Sequence, residues 1–512
     1  MKRLFLYSVL SVILLTACHQ PTVPTQFEQL SQQPTIYPDY LDVTVPVNIA
    51  PLHFQLDNDF DEVVTRMSVA DEEVLFDGKQ VRPDFDEWKR LTGKAVTAEP
   101  ITVEIYARTG EKWQRFKPFT ITVSPDSIDP WLTYRLISPS YVTYEELTIN
   151  QRCLENYDER VIYDNILCST EKNGQCINCH YSQQGNPQRT QFHARQNLGG
   201  TMLNIDGKLT KVNLKTDSTL SAGVYPAWHP QLNLIVYSTN QTMQSFHTRD
   251  IDKIEVFDKQ SDLILYNPET NEVSNVENEE NEFETFPCWS PDGKWLYYSS
   301  AHFEWRDTVS HEAECILRYK EIKYNIYRKA FDEKTFTFGP RELVFQADSM
   351  NLSATLPRVS PDGRFLLMAV GEWGTFHIWH RDADMWLVDL QASPAEADST
   401  VAVTKPFVAY PFKEVNSPSV ESFHNWNSTG RWIVVSSRRY DGNFTRPFFA
   451  HVDKDGHATK PFELPCDNPN YHREFMKSYN VPEFMLGPVT VKPQEFADAL
   501  KKPAVSAKYK ER

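Results

Sequence analysis

A chain of 512 residues with 69 Asp and Glu against 52 Lys and Arg carries a net charge of −17. That length allows two or three domains with separate cores, and the acid excess excludes a compact basic face for nucleic acid. Proline (33) outnumbers glycine (18) and 13% of residues are aromatic, a composition that favours short strands and turns over long helices.

Residues 1–17 read as a secretory signal. Lys2 and Arg3 precede an apolar run from Leu4 to Leu15, too short to span a bilayer. The run ends in Leu15-Thr16-Ala17-Cys18, which resembles the lipobox of bacterial lipoproteins. The resemblance implies that Cys18 becomes a lipidated first residue, anchored to a membrane by its acyl chains. An ordinary signal peptide with a stray cysteine is the alternative. No acidic run follows Cys18, which in such lipoproteins suggests an outer-membrane protein facing the periplasm. C-type haem is attached, and disulfides persist, in that kind of compartment. Residues 18–38, rich in Pro, Gln and Thr, read as a flexible tether.

Residues 39–125 alternate apolar and polar side chains at Tyr40–Asn48, Glu62–Val69, Ile101–Ala107 and Phe119–Val123, split by Asp77-Gly78 and Thr109-Gly110 turns. The pattern predicts a small β-sandwich-like domain, or else an irregular platform packed on the next domain. Residues 126–200 predict a helix over Tyr144–Ile166, because Leu147, Leu154, Tyr157, Val161 and Ile162 fall on one helical face.

That helix leads to Cys176-Ile177-Asn178-Cys179-His180. C-x-x-C-H is the attachment signature of c-type haem. Two thiols add to the vinyl groups on one porphyrin edge, and the next residue offers a neutral imidazole to the iron. Composition alone gives about 0.003 such matches in this chain. The rival readings are a redox disulfide or half of a zinc site. Zinc wants a second close ligand pair, and a thioredoxin-like motif wants a βαβ frame; neither accompanies the motif. The expectation is one covalent haem c with His180 as proximal ligand. For the sixth position His193 is the choice, since Met202 adjoins apolar Leu203 and Ile205 and reads as core. More distant alternatives are Met243, His247, Met476 and Met485.

Beyond Gly200 a strand–turn–strand unit recurs. It appears at Tyr225–Ser238, Phe286–Ser300, Leu356–Met368 and Phe423–Ser437, with Ser-Pro-Asp-Gly turns at Ser290–Gly293 and Ser360–Gly363. This unit resembles the TolB-like (PD40, WD40-like) propeller repeat, whose mark is W-S-P-D-G-[KR] before an apolar run. The resemblance covers roughly residues 201–470 and weakens at the first and fourth copies, which lack Asp-Gly. It implies a mainly β chain with a TolB-like β-propeller, residues 471–512 forming a C-terminal tail. Trp228, Trp289, Val359 and Trp426 stand 61, 70 and 67 residues apart, longer than ordinary blades, so the number of blades stays open. Under this reading Trp289, Pro291, Asp292 and Gly293 hold turns and pack blades.

Insertions at His302–Arg318 and Gly371–Arg381 read as caps or binding loops. Arg438, Arg439 and Arg446 cluster in an acidic chain and form a candidate anion site, with internal ion pairing as the competing reading. After Cys18 and the haem pair, five cysteines remain, so at least one is unpaired; Cys153 and Cys168 could bridge. No hydrolase nucleophile motif, P-loop or H-E-x-x-H is present. The functional expectation is an envelope lipoprotein with one c-type haem, acting in periplasmic electron transfer or as a haem-bearing scaffold for an envelope protein partner. The alternative is a TolB-like interaction module of a cell-envelope complex without haem.

Overall fold

The computed structural model describes residues 21–138, 144–169, 175–250, 252–306, 310–392, 402–404 and 407–511, so Cys18 and the signal segment lie outside the described residues. The chain is mainly β, built of seven hydrogen-bonded sheets.

The N-terminal part is a seven-stranded sheet with a three-stranded sheet beside it. Two pieces of the expected tether are paired into them. Glu28–Gln29 lies parallel to Lys112–Arg115, and Ile36–Tyr37 lies antiparallel to Phe54–Leu56. Ile36 and Tyr37 are buried; two apolar residues suffice to hold a Pro-rich stretch down. A helix at Phe85–Ala95 was not expected. Asp84 and Glu87 form a reciprocal capping box, and Trp88, Leu91, Thr92 and Ala95 give one buried face.

The helix predicted for Tyr144–Ile166 is absent; the segment forms strands Thr148–Cys153 and Glu159–Asp164. The Asn156-Tyr157-Asp158 turn, with the Asp158 amide donating to Asn156 Oδ1 at 2.7 Å, breaks the helical register. The strand edge of Trp131–Ile137 supplies the partner, and pairing there outweighs a weak 3.6-residue pattern.

Four more sheets come next in chain order. Ile177–Ser182, Arg189–Ala194, Gly200–Ile205 and Lys208–Asn213 form one. Val224–Trp228 begins the next, a nine-stranded sheet whose second half opens at Glu282–Trp289, the halves joined through a single Ser261–Phe283 pairing. Ser353–Val359 and Glu421–Trp426 begin the last two. The expected tail is built in. Ser478–Met485 pairs antiparallel with Trp131–Ile137. Helix Pro493–Leu500 buries Phe496, Ala497, Ala499 and Leu500. Val505–Ser506 and Lys508–Tyr509 extend two further sheets. Apolar side chains recurring through residues 479–500 explain the docking.

The repeated residues act as joints. In each Ser-Pro-Asp-Gly turn the serine hydroxyl donates to the Asp carboxylate, at 2.6 Å for Ser290 and 2.5 Å for Ser360, and the glycine takes φ +73°. Trp289 Nε1 donates to Ala227 O, and Trp426 Nε1 to Arg358 O, both at 3.1 Å. The Trp426 indole thereby ties its sheet to the preceding one, and the Trp289 indole ties the two halves of the nine-stranded sheet.

The first strands share one irregularity. Their pairing shifts register at Asn178/Tyr181, Val224/Ala227, Thr285/Cys288, Thr355/Arg358 and Glu421/His424, and Ser478–Met485 does so opposite Thr133/Arg135. Cys179, Tyr225, Phe286, Leu356 and Val481 there take left-handed φ between +47° and +57°. Such bulges re-aim side chains.

Candidate functional site

These bulges surround a cavity of about 310 Å³, at the lower end of pockets that hold small molecules. The bulge residues Cys179, Tyr225, Phe286, Leu356, Phe423 and Val481 all line it. Phe376 and Trp379, from the Gly371–Arg381 insertion, close part of its wall. The walls mix aromatic and apolar side chains with the polar Asn178, Thr242, Gln244 and Asn480 and with Arg135, Arg195 and Arg358. Among the described residues no Asp or Glu lines it.

Cys176, Cys179 and His180 all face this cavity, although they sit on a strand edge and not at the end of a helix. Strand Ile177–Ser182 sends Ile177 into the core beneath, and the bulge turns Cys179 back toward the cavity. Asn178 braces the bulge: its Oδ1 accepts from the Cys179 amide at 2.9 Å and from Arg135 Nη1 at 2.7 Å. Arg135 Nη1 also donates to Ile177 O at 2.8 Å. Both thiols are free, with no disulfide between them. Burial holds the Cys179 thiol up, against the pull of Arg195 and Arg135. Burial, aided by Arg135, holds His180 at about 3, so the imidazole is neutral, the form a metal accepts.

His193 stands elsewhere. It pairs across the hairpin with Asn178, its Nδ1 lies 3.2 Å from Thr201 Oγ1, and it faces a neighbouring cavity of about 460 Å³. Alternation along Arg189–Ala194 puts it on the face turned to the next sheet. Of the other candidate ligands, Met243 alone lines the central cavity. Met202 and Met485 are buried in one apolar core, Met476 is exposed, and the His247 ring lies 6.0 Å from Tyr319.

The expected anion cluster is mostly spent on internal partners. Arg446 donates to the carbonyls of Thr445, Lys477, His472 and Phe475. Arg439 pairs with buried Glu421 at 3.1 Å. Arg438 stacks 4.2 Å over Trp379. Backbone carbonyls at the chain crossing there absorb the positive charge, which the spacing of three arginines could not reveal. Three other arginines, Arg135, Arg195 and Arg358, line the central cavity, and the sequence reading missed them. The available signal was an arginine inside the otherwise uncharged strand Trp131–Ile137, whose residues are all buried.

Cys153 and Cys168 do not bridge, and all seven described cysteines are free. Cys153 packs beside Trp131, while Cys168 Sγ lies 3.6 Å from Ala497 O. Among the described residues no group of three His, Cys, Asp or Glu side chains is placed to hold a bare metal ion. A haem asks less of the chain, needing two thiols and one neutral imidazole on one cavity wall, and the donor set at Cys176, Cys179 and His180 fits it.

No protein-family model matches this chain. No curated protein sequence matches it either. Among solved structures it is similar to prolyl oligopeptidase B from Galerina marginata, at 9% identity and a TM-score of 0.36, covering 71% of this chain. The chain spans only 42% of that enzyme's length. It is also similar to a DUF4784 family protein from Bacteroides caccae, at 11% identity and a TM-score of 0.31, covering 85% of this chain and 97% of that one. These likenesses carry no argument about activity.

Proposed function

We propose that the chain is a six-bladed propeller with a covalent haem c in its central cavity, attached through Cys176 and Cys179 and ligated by His180. The propeller reading is supported by the cyclic order of the first strands. Ile177–Ser182 lies against Val224–Trp228, then Glu282–Trp289, Ser353–Val359, Glu421–Trp426, Ser478–Met485, and back to Ile177–Ser182. Neighbouring sheets share apolar cores around the same circuit. Burial of each face against its neighbour requires such a ring to close.

The single observation that carries the haem reading is the convergence of both thiols and a neutral imidazole on one aromatic cavity. When bound, the haem supplies one-electron redox chemistry. The chain's own residues then shield it with aromatic walls and place the thioether of Met243, in preference to His193, within the same space. With the lipid anchor proposed at Cys18, this makes an envelope electron carrier or haem-bearing scaffold. A pyridine haemochrome assay on the purified protein tests it. We expect one covalent haem per chain, lost in Cys176→Ala/Cys179→Ala, and an altered spectrum in Met243→Ala with none in His193→Ala. A protein without haemochrome bands overturns the reading.

A second reading has its own observation. Cys179-His180 occupies the place of Tyr225-Pro226, Phe286-Pro287, Leu356-Pro357, Phe423-His424 and Val481-Pro482 in the other first strands. On that footing the pair is one copy of a structural repeat in a haem-free interaction module, and the same assay separates the two.

A further inference from the structure

We propose that Cys466 is an activated thiol, a site of oxidation by hydrogen peroxide, with His472 as its base and Glu463 as the group that orients the base. The three stand apart from the residues that line the central cavity, and the inference does not rest on the haem reading.

The fold brings the three side chains together from one short stretch of chain. Glu463 ends the strand Phe462–Glu463, and His472 stands on the short helix Tyr471–Glu474. Arg446 pins that helix, its Nη2 donating to His472 O at 2.9 Å and to Phe475 O at 2.6 Å. His472 Nδ1 meets Glu463 Oε1, and its Nε2 lies 3.7 Å from Cys466 Sγ and 3.0 Å from the Tyr479 hydroxyl. Glu463, Cys466 and His472 are all more than nine-tenths buried. Thiol, imidazole and carboxylate in that order are the parts of an activated nucleophile, recognised by geometry and not by sequence spacing. Burial pulls the imidazole down, yet His472 is held above its ordinary range, by Cys466 first and then by Glu463. That balance suits a thiolate beside an imidazolium.

Burial of a cysteine does not by itself produce this arrangement. Cys153 and Cys288 are 5% and 7% exposed, against 8% for Cys466. Among the described residues neither has an imidazole within hydrogen-bond distance. The three thiols are thus matched in burial and differ in their partners.

The oxidation balances. The thiol proton passes to His472 Nε2, and the thiolate attacks one oxygen of the peroxide. An S–O bond forms as the O–O bond breaks. Sulfur loses two electrons, the peroxide gains them, and the imidazolium returns its proton to the departing hydroxide. The products are a sulfenic acid and water. Hydrogen peroxide is uncharged and close to water in size, so the narrow exposure of Cys466 suits it better than a bulky oxidant.

The full-length protein is exposed to hydrogen peroxide, quenched with catalase at set times and unfolded into dimedone. Peptide mass spectrometry then reads the adduct at each cysteine of the same sample. We expect Cys466 to oxidise at least tenfold faster than Cys153 and Cys288. His472→Gln should slow Cys466 at least tenfold and leave the other two rates unchanged, and Glu463→Gln should slow it at least threefold. Should a substitution prevent folding, which faster oxidation of Cys153 and Cys288 would reveal, the comparison of the three cysteines in the unaltered protein decides. Equal rates at the three overturn the proposal. So does a Cys466 rate that His472→Gln leaves unaltered while Cys153 and Cys288 keep theirs.

Discussion

Asn178, an interior residue of the C-x-x-C-H motif, does the local positioning. Its carboxamide oxygen holds both the Cys179 amide and Arg135. Asn178→Ala removes a half-buried acceptor for a charged donor, so it should cost about 1–2 kcal/mol and, on the proposed haem reading, lower haem incorporation; a thermal melt beside a haemochrome yield checks it. A buried carboxyl contributes to the pH response. Glu284 is fully buried, with Oε1 accepting from the Glu279 amide at 3.1 Å and Oε2 without a partner. Burial first, then the nearby Asp262 carboxylate, raises it from 4.5 to about 9. A carboxyl raised in the folded state stabilises fully below its unfolded value, and the contribution drains away as pH climbs through about 9. Glu284→Gln should therefore leave the melting temperature near pH 4.5 almost unchanged, raise it by several degrees at pH 9, and flatten the slope between. An unaltered slope in melts across that range would remove Glu284 as its source.

At the scale of elements, the turns and hairpins were legible because each carries its own chemistry. Ser290, Asp292 and Gly293 close a turn by hydrogen bonds within five residues, and nothing distant is needed. The indole links are equally local in cause: Trp289→Phe keeps the ring packed but strands the Ala227 carbonyl, at a cost of about 1–2 kcal/mol, readable by denaturant unfolding. The misread stretch, 144–166, fails for the opposite reason. Its apolar residues satisfy a helical spacing, yet the choice is made by the open edge of Trp131–Ile137, which no local window contains. His193 was misplaced likewise, because strand alternation, and not distance along the chain, decides which cavity it meets. The C-x-x-C-H spacing was legible as a unit, and its Cys176, Cys179 and His180 line one cavity. The arginines were not, since Arg135, Arg195 and Arg358 are brought together only by three separate sheets.

At the scale of the whole molecule, the proposed ring would close through residues that read as a tail in the sequence. Ser478–Met485 supplies the antiparallel partner of Trp131–Ile137 and touches the first strands on both sides of it, Glu421–Trp426 and Ile177–Ser182. Tyr479 and Phe484 belong to the core shared with the N-terminal sheets, and Met485 to the core beneath Ile177. Removing residues 478–512 would expose a long apolar edge at Trp131–Ile137, open the cavity beside Cys179, and leave both cores short of large side chains. The expected outcome is loss of the soluble folded protein, not a nicked but otherwise intact one. Replacing Tyr479 by Ala grades the same effect: it deletes a fully buried ring whose centroid lies 4.7 Å from that of Tyr134 at a tilt of 57°, at about 3–5 kcal/mol. Because one strand serves two cores, that loss should appear as a single cooperative transition moved to lower denaturant. A biphasic transition, with the N-terminal sheets melting apart from the rest, would show that residues 478–485 do not couple the two halves.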